Sequence, residues 1–165
     1  MTFETRETVV RFVERNYFGS AVQSDVSSML DCFHNNAQVL IRHGDNPTRY
    51  FSPQPSETHS DLTDFFSHLC GTFEPRFSDF QHFIDIEKNR SACYFSVLLT
   101  PRSPLMLKKV GVQELNNCNF FHYSDRKIQN MIIYYSNAAA LGRDVPTGYP
   151  KRNDKKRITH EESSG

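Results

Sequence analysis

The chain has 165 residues, and its 19 basic and 19 acidic side chains cancel, so no net field draws in nucleic acid or an anionic membrane surface. That length suits one domain, able to bury about 70% of the surface its unfolded form exposes. No window approaches the ~20 apolar residues of a membrane span, and the opening Met-Thr-Phe-Glu-Thr-Arg-Glu has no apolar run fit for a signal peptide, so a cytoplasmic protein without membrane or nucleic-acid partners is expected.

From Glu4 to Phe18, the residues Val9, Val10, Phe12, Val13 and Tyr17 recur at helical spacing between charged neighbours, which predicts a first amphipathic helix. Ser24 or Asp25 can cap a second helix with Val26, Met29, Leu30 and Phe33 on one face, ended by Asn35-Asn36. Ala37 to Arg42 alternates as a first strand. Gly44 to His59, with Gly44, Pro47, Pro53 and Pro55, reads as a long loop with a short strand around Arg49 to Phe51. A third helix starts at Ser60, presents Leu62, Phe65, Phe66 and Leu69, and stops at Gly71 as a left-handed cap.

After Glu74-Pro75 the period changes to two. Phe80, His82, Ile84 and Ile86 share a strand face, Asn89-Arg90 turns the chain, and Ser91 to Thr100 is apolar on both faces, as a central strand should be. Pro101 to Gly111 reads as irregular. A hairpin from Asn117 to Tyr135, turning at Ser124 to Lys127, closes the series. The domain then runs over 1–141, and 142–165 is a charged tail whose basic run Lys151 to Arg157 is diluted by Asp154, Glu161 and Glu162.

Helices first and a meandering sheet last, with Asp25-Val26, Leu30 and Phe33 leading into Asn36-Ala37-Gln38-Val39, resembles the nuclear transport factor 2-like superfamily, and within it the SnoaL-like polyketide cyclases and ketosteroid isomerases. The resemblance covers Glu4 to Ser136. It implies an α+β, cystatin-like cone, in which three N-terminal helices pack on a curved antiparallel sheet. It further implies a pocket for a small, mostly apolar or aromatic molecule and a homodimer through the outer sheet face.

In ketosteroid isomerases a helix-one tyrosine donates to the oxyanion, and Tyr17 matches it, sixteen residues before Phe33. The isomerase base aspartate corresponds to Ile41, and the second oxyanion donor, also the approximate place of the cyclases' aspartate, corresponds to Asn119. Neither isoleucine nor asparagine shuttles protons.

Residue chemistry adds the remaining candidates. Tyr17 is either a pocket hydroxyl or a core aromatic. Asn117 and Asn119 share a strand face with Phe121 and Tyr123 and line the expected cavity with amides, and Phe80 and Phe121 supply apolar wall. His82, between Phe80 and Ile84, is a base if it points into the cone and a structural histidine otherwise. Arg42, His43 and Asp45 fall at the expected rim, where His43 could act as base beside Asp45 and Arg42 could grip a carboxylate. Catalytic candidates are thus His82, His43 and Tyr17; ligand contacts are expected from Tyr17, Arg42, Phe80, His82, Asn117, Asn119 and Phe121.

Cys32, Cys70, Cys93 and Cys118 form no C-x-x-C pair and read as reduced small hydrophobes. The histidines show no H-x-H or H-E-x-x-H spacing, and there is no Gly-rich phosphate loop or G-x-S-x-G, so neither metal nor cofactor is expected. Two functions of different class follow: binding of a small organic molecule, with isomerase, hydratase or cyclase chemistry; or a non-catalytic association module, such as an auxiliary subunit of a larger enzyme.

Overall fold

The computed structural model describes residues 1–136 and a short strand at Ala139–Ala140. The expected charged tail, and with it the boundary at 141, lies outside the described residues.

Thr5 starts the first helix by a reciprocal cap: its hydroxyl accepts from the Thr8 amide at 3.3 Å while the Thr8 hydroxyl accepts from the Thr5 amide. Three helical pieces then run on without a break: α1 (Arg6–Arg11), a π-helical segment (Phe12–Phe18) and α2 (Gly19–Val22). The wider π turn brings Val13 and Phe18, five residues apart, onto the face already held by Val9, Tyr17 and Ala21, and all five are buried. Helix one is therefore longer than its charge pattern predicts, and it ends where Ser24 adopts a positive φ of 57°.

Asp25 caps α3 (Val26–Asp31), accepting from the Ser28 amide at 3.0 Å. The helix stops well before the expected Asn35-Asn36. Phe33 instead opens β1 (Phe33–His43), because the Cys32 carbonyl accepts from the Ile128 amide at 2.8 Å and the chain is drawn into the sheet. β2 (Arg49–Ser52) occupies the short strand foreseen in the long loop, and β3 (Ser60–Asp61) pairs beside it.

Asp61, not Ser60, caps α4 (Leu62–Thr72). Gly71 is not a left-handed cap: it lies inside the last turn, and the helix ends because Phe73 is already extended and paired with Pro101. The segment expected to be irregular contains α5 (Pro104–Val110), capped by Ser103 and closed by Gly111 at φ 73°. Ser103 before Pro104 is a helix start that the apolar pattern alone did not reveal.

β4 (Phe73–Asp85), β5 (Arg90–Pro101), β6 (Gln113–Ser124) and β7 (Lys127–Tyr135) form an antiparallel meander, and β1 adds to β7 in parallel, giving the order β3-β2-β1-β7-β6-β5-β4. The fold is α+β. Register shifts interrupt β4 between Ser78 and Gln81, where Asp79 has φ 57°, and β6 between His122 and Tyr123. Bulges of this kind add twist and bend the sheet around helix one.

The interior is aromatic. Tyr17 meets Phe18, Phe33, Phe66 and Phe121 with ring centres 4.8 to 6.2 Å apart, and Phe18 meets Phe77, Phe80 and Phe95. Edge-to-face pairs add about 0.5 to 1.5 kcal/mol each beyond their buried area. Phe66, 1% exposed, joins α4 to this cluster. Phe66→Ala should therefore destabilise the fold by about 3 to 5 kcal/mol, read from the urea midpoint with the denaturant slope unchanged.

Candidate functional site

β6 projects Leu115, Asn117, Asn119, Phe121 and Tyr123 inward, all of them buried. The expected alternation holds, and it brings two amides under helix one. They lie on the wall of a cavity of about 50 Å³, shared with Tyr17 from the π segment, Phe65, Phe66 and Leu69 from α4, and Tyr135 from β7. The rest of the lining is apolar. A water occupies about 30 Å³ of liquid, so this space holds a single small polar group. The roomy hollow expected here is largely filled by aromatic side chains.

The Oδ1 atoms of Asn117 and Asn119 are buried without a hydrogen-bond partner, although the two residues are 4% and 2% exposed. Tyr135 stands opposite Asn117 in the ladder. Burial pushes the Tyr135 phenol up to about 12, with the Arg49 charge acting in the other direction. Burial, then the neighbouring Tyr135, raises the Tyr17 phenol well above its ordinary value. All of these groups are neutral near pH 7. The cavity offers hydrogen bonds and no fixed charge.

The other expected site residues are placed as follows. Ile41 is 1% exposed on the inner face, where the resemblance would put a base aspartate. His43 is on the same face, its ring 5.8 Å from that of Tyr135 and its Nε2 buried without a partner. His82 faces helix one rather than the cavity: its side chain is 6% exposed, Nε2 is 2.9 Å from Glu14 Oε1, and Nδ1 has no partner. Phe80 stacks on His82, and Phe121 touches Tyr17. Arg42 points to the opposite side of the sheet, donating to the Tyr134 hydroxyl at 2.9 Å. Tyr17, Asn117 and Asn119 are thus brought together, and His82 and Arg42 are not.

Two residues that the sequence did not single out belong with this group. Tyr135 ends a hairpin strand whose pairing with β6 sets which of Tyr134 and Tyr135 faces inward. Arg49 alternates with Phe51 on β2, and its guanidinium lies 5.9 Å from the ring centres of both Phe51 and Phe65. The pattern Arg-x-Phe in the short predicted strand was the available signal. All four cysteines are free, and burial pushes Cys32 and Cys93 up to about 12, so neither is a ready thiolate.

The other face of the sheet carries a larger hollow, about 560 Å³, over Phe83, Phe120 and Ile132 and flanked by Asp85, Arg90, His122 and Asn130. Ladder register aligns Phe83, Ala92, Phe120, Ile132, Leu40 and Tyr50 in one apolar row across the strands. Phe83 is 63% exposed and Phe120 45%.

No protein-family model and no curated protein matches the sequence. Solved structures do match. The chain is similar to SalBIII, an epoxide hydrolase/cyclase-like enzyme with a role in pyran ring formation in the polyether salinomycin, at 14% identity over 79% of this chain and 92% of that one, with a TM-score of 0.59. A candidate polyketide cyclase from Xanthomonas campestris pv. campestris superposes with a TM-score of 0.60, at 14% identity over 79% of this chain and 91% of that one. An NTF2-like protein from Burkholderia xenovorans gives 0.56, at 11% identity over 80% and 91%. The chain has the nuclear transport factor 2-like fold. Among the described residues no helix is long and apolar enough to cross a membrane.

The raised phenols set an alkaline limit on stability. Above pH ~10 the unfolded chain releases tyrosine protons that folded Tyr135 holds to about 12, so the folded state binds more protons and stability falls across that window. Urea unfolding should weaken from pH ~10 to 12, and Tyr135→Phe should flatten that decline.

Proposed function

We propose that this chain binds a small, largely apolar organic molecule in its cone, with the molecule's polar end met by Tyr17, Asn117 and Asn119. The observation that carries this reading is the pair of buried, unpartnered amide oxygens on the wall of an otherwise apolar cavity. Each such atom costs about 1 to 3 kcal/mol while unmet, and a ligand hydroxyl would remove that cost.

The 50 Å³ space takes only that polar end, since pockets for whole organic ligands run from about 300 to 1,000 Å³. The body of the ligand needs Phe65 and Leu69 to turn aside. These are the half-exposed side chains of α4 at the cavity wall, so their movement opens the cone without unpacking buried Phe66.

This placement and the cyclase-like neighbours support isomerase, hydratase or cyclase chemistry. Tyr17 and Asn119 would hold a carbonyl. His43, with its free Nε2 beside Tyr135, would be the base, and His82, held by Glu14, is the second choice. A positioned base contributes typically 10²- to 10⁴-fold, so His43→Gln should lower turnover by that factor; unchanged turnover in both His43→Gln and His82→Gln would remove the proton-transfer step.

Thermal-shift screening against steroids, polyketides and aromatic acids tests binding itself. A ligand at a hundredfold excess over its Kd should stabilise the protein by about 2.7 kcal/mol. Asn119→Leu, which removes an unmet acceptor at similar volume, should leave the free protein at least as stable and abolish the ligand-induced shift. A panel without any shift would sink the reading.

The apolar row from Phe83 to Tyr50 favours a second function on the other side of the sheet, association with a second copy through that face. Sedimentation should report a dimer that Phe120→Glu converts to monomer. A wild-type monomer at all concentrations would rule the dimer out.

A further inference from the structure

Arg49 pairs directly with Ile41 in the ladder and precedes Phe51 by two residues, so it shares the inner face with Val39, Ile41 and Phe51. Its guanidinium rests against two rings, 5.9 Å from the centre of Phe51 and 5.9 Å from that of Phe65. Phe65 also belongs to the cavity wall, so one ring borders both the cavity and the cation. None of the ion pairs among the described residues uses Arg49. Its ladder partner is an isoleucine.

A guanidinium held on aromatic faces keeps its fork of N–H donors at its edge, in the geometry that matches a carboxylate by two parallel hydrogen bonds. Two more polar groups lie at the same end of the inner face. Tyr135 lines the cavity and is close enough to Arg49 for the cation to favour its ionised form. His43 sits beside Tyr135 with a buried, unpartnered Nε2. Arg42, the arginine expected to grip a carboxylate, is engaged with Tyr134 on the opposite face.

We propose that Arg49, seated on Phe51, anchors a carboxylate of the ligand, so that the cone selects organic acids whose acid group sits beside Tyr135 and His43 and whose apolar body lies against Phe51 and passes the Phe65 ring that turns aside to admit it. The proposal rests on the small-molecule reading and names the chemical class of the molecule. It makes Arg49 a binding and specificity residue, with no part in proton transfer.

Calorimetric titration of the full chain with matched acids and amides tests it, using benzoate against benzamide and 2-naphthoate against 2-naphthamide. One charge-assisted contact should make the acid bind about tenfold tighter than its amide. Arg49→Gln should bring the acid's affinity down to that of the amide and leave amide binding unchanged; Arg49→Lys should keep part of the preference. Because Arg49 is exposed, none of these variants threatens the core. Raised salt should weaken only the acids. Equal binding of acid and amide to wild type, or a preference that survives in Arg49→Gln, would overturn the proposal and leave the small-molecule reading standing. Absence of binding by all four compounds would overturn the proposal and count against that reading too.

Discussion

Helix one is held inside the bent sheet by an aromatic wedge, and the rest of the structure is arranged around it. Tyr17 and Phe18 are consecutive, yet both are buried, because the π-helical segment places Val13 and Phe18 on the face that also carries Tyr17. From there Tyr17 reaches Phe33, Phe66 and Phe121, and Phe18 reaches Phe77, Phe80 and Phe95, so one turn of helix ties together β1, α4, β4, β5 and β6. Large rings deliver most of the available hydrophobic stabilisation and also use up the space under the helix. A core this well filled and a cavity of only about 50 Å³ are two results of the same packing.

What remains of the cavity is polar in a particular way. Ionised carboxylates in an apolar wall are costly to desolvate, whereas neutral amides and phenols cost far less and are then repaid by a single hydrogen bond. Ile41 on the inner face is apolar, and the interior polarity comes from Asn117, Asn119, Tyr17 and Tyr135. Imidazole nitrogen lies outside this lining, with His43 beside Tyr135 and His82 against Glu14 on helix one. Such an interior offers neutral hydrogen-bonding groups to whatever fills it.

The two faces of the sheet divide the candidate functions between them. Asn117, Asn119 and Phe121 look inward, while Phe120 and His122, one residue away, look outward. Across the ladders, the outward positions of six strands line up as an apolar row beside a polar one containing Asp85, Arg90, His122 and Asn130. Arg42 and Tyr134 continue the outer face, and Arg49 and Tyr135 continue the inner one.

Local periodicity by itself determined the α+β class, the meander, and the shared face of Asn117, Asn119, Phe121 and Tyr123, because a strand's alternation is written in neighbouring residues. It also narrowed the second helix's cap to Ser24 or Asp25 and carried the short strand at Arg49, which depend on side chains within a turn or two. Tertiary structure alone decided the early end of the second helix, the extended exit at Phe73, and whether His82 met the cavity or Glu14, since each of these is set by a partner far along the chain. Arg42 and Arg49 look alike as sequence, each a basic residue in a predicted strand. Only the pairing of β1 with β2 and β7 sends one to the outer face of the sheet and the other to the inner face, because register fixes the face of every side chain at once.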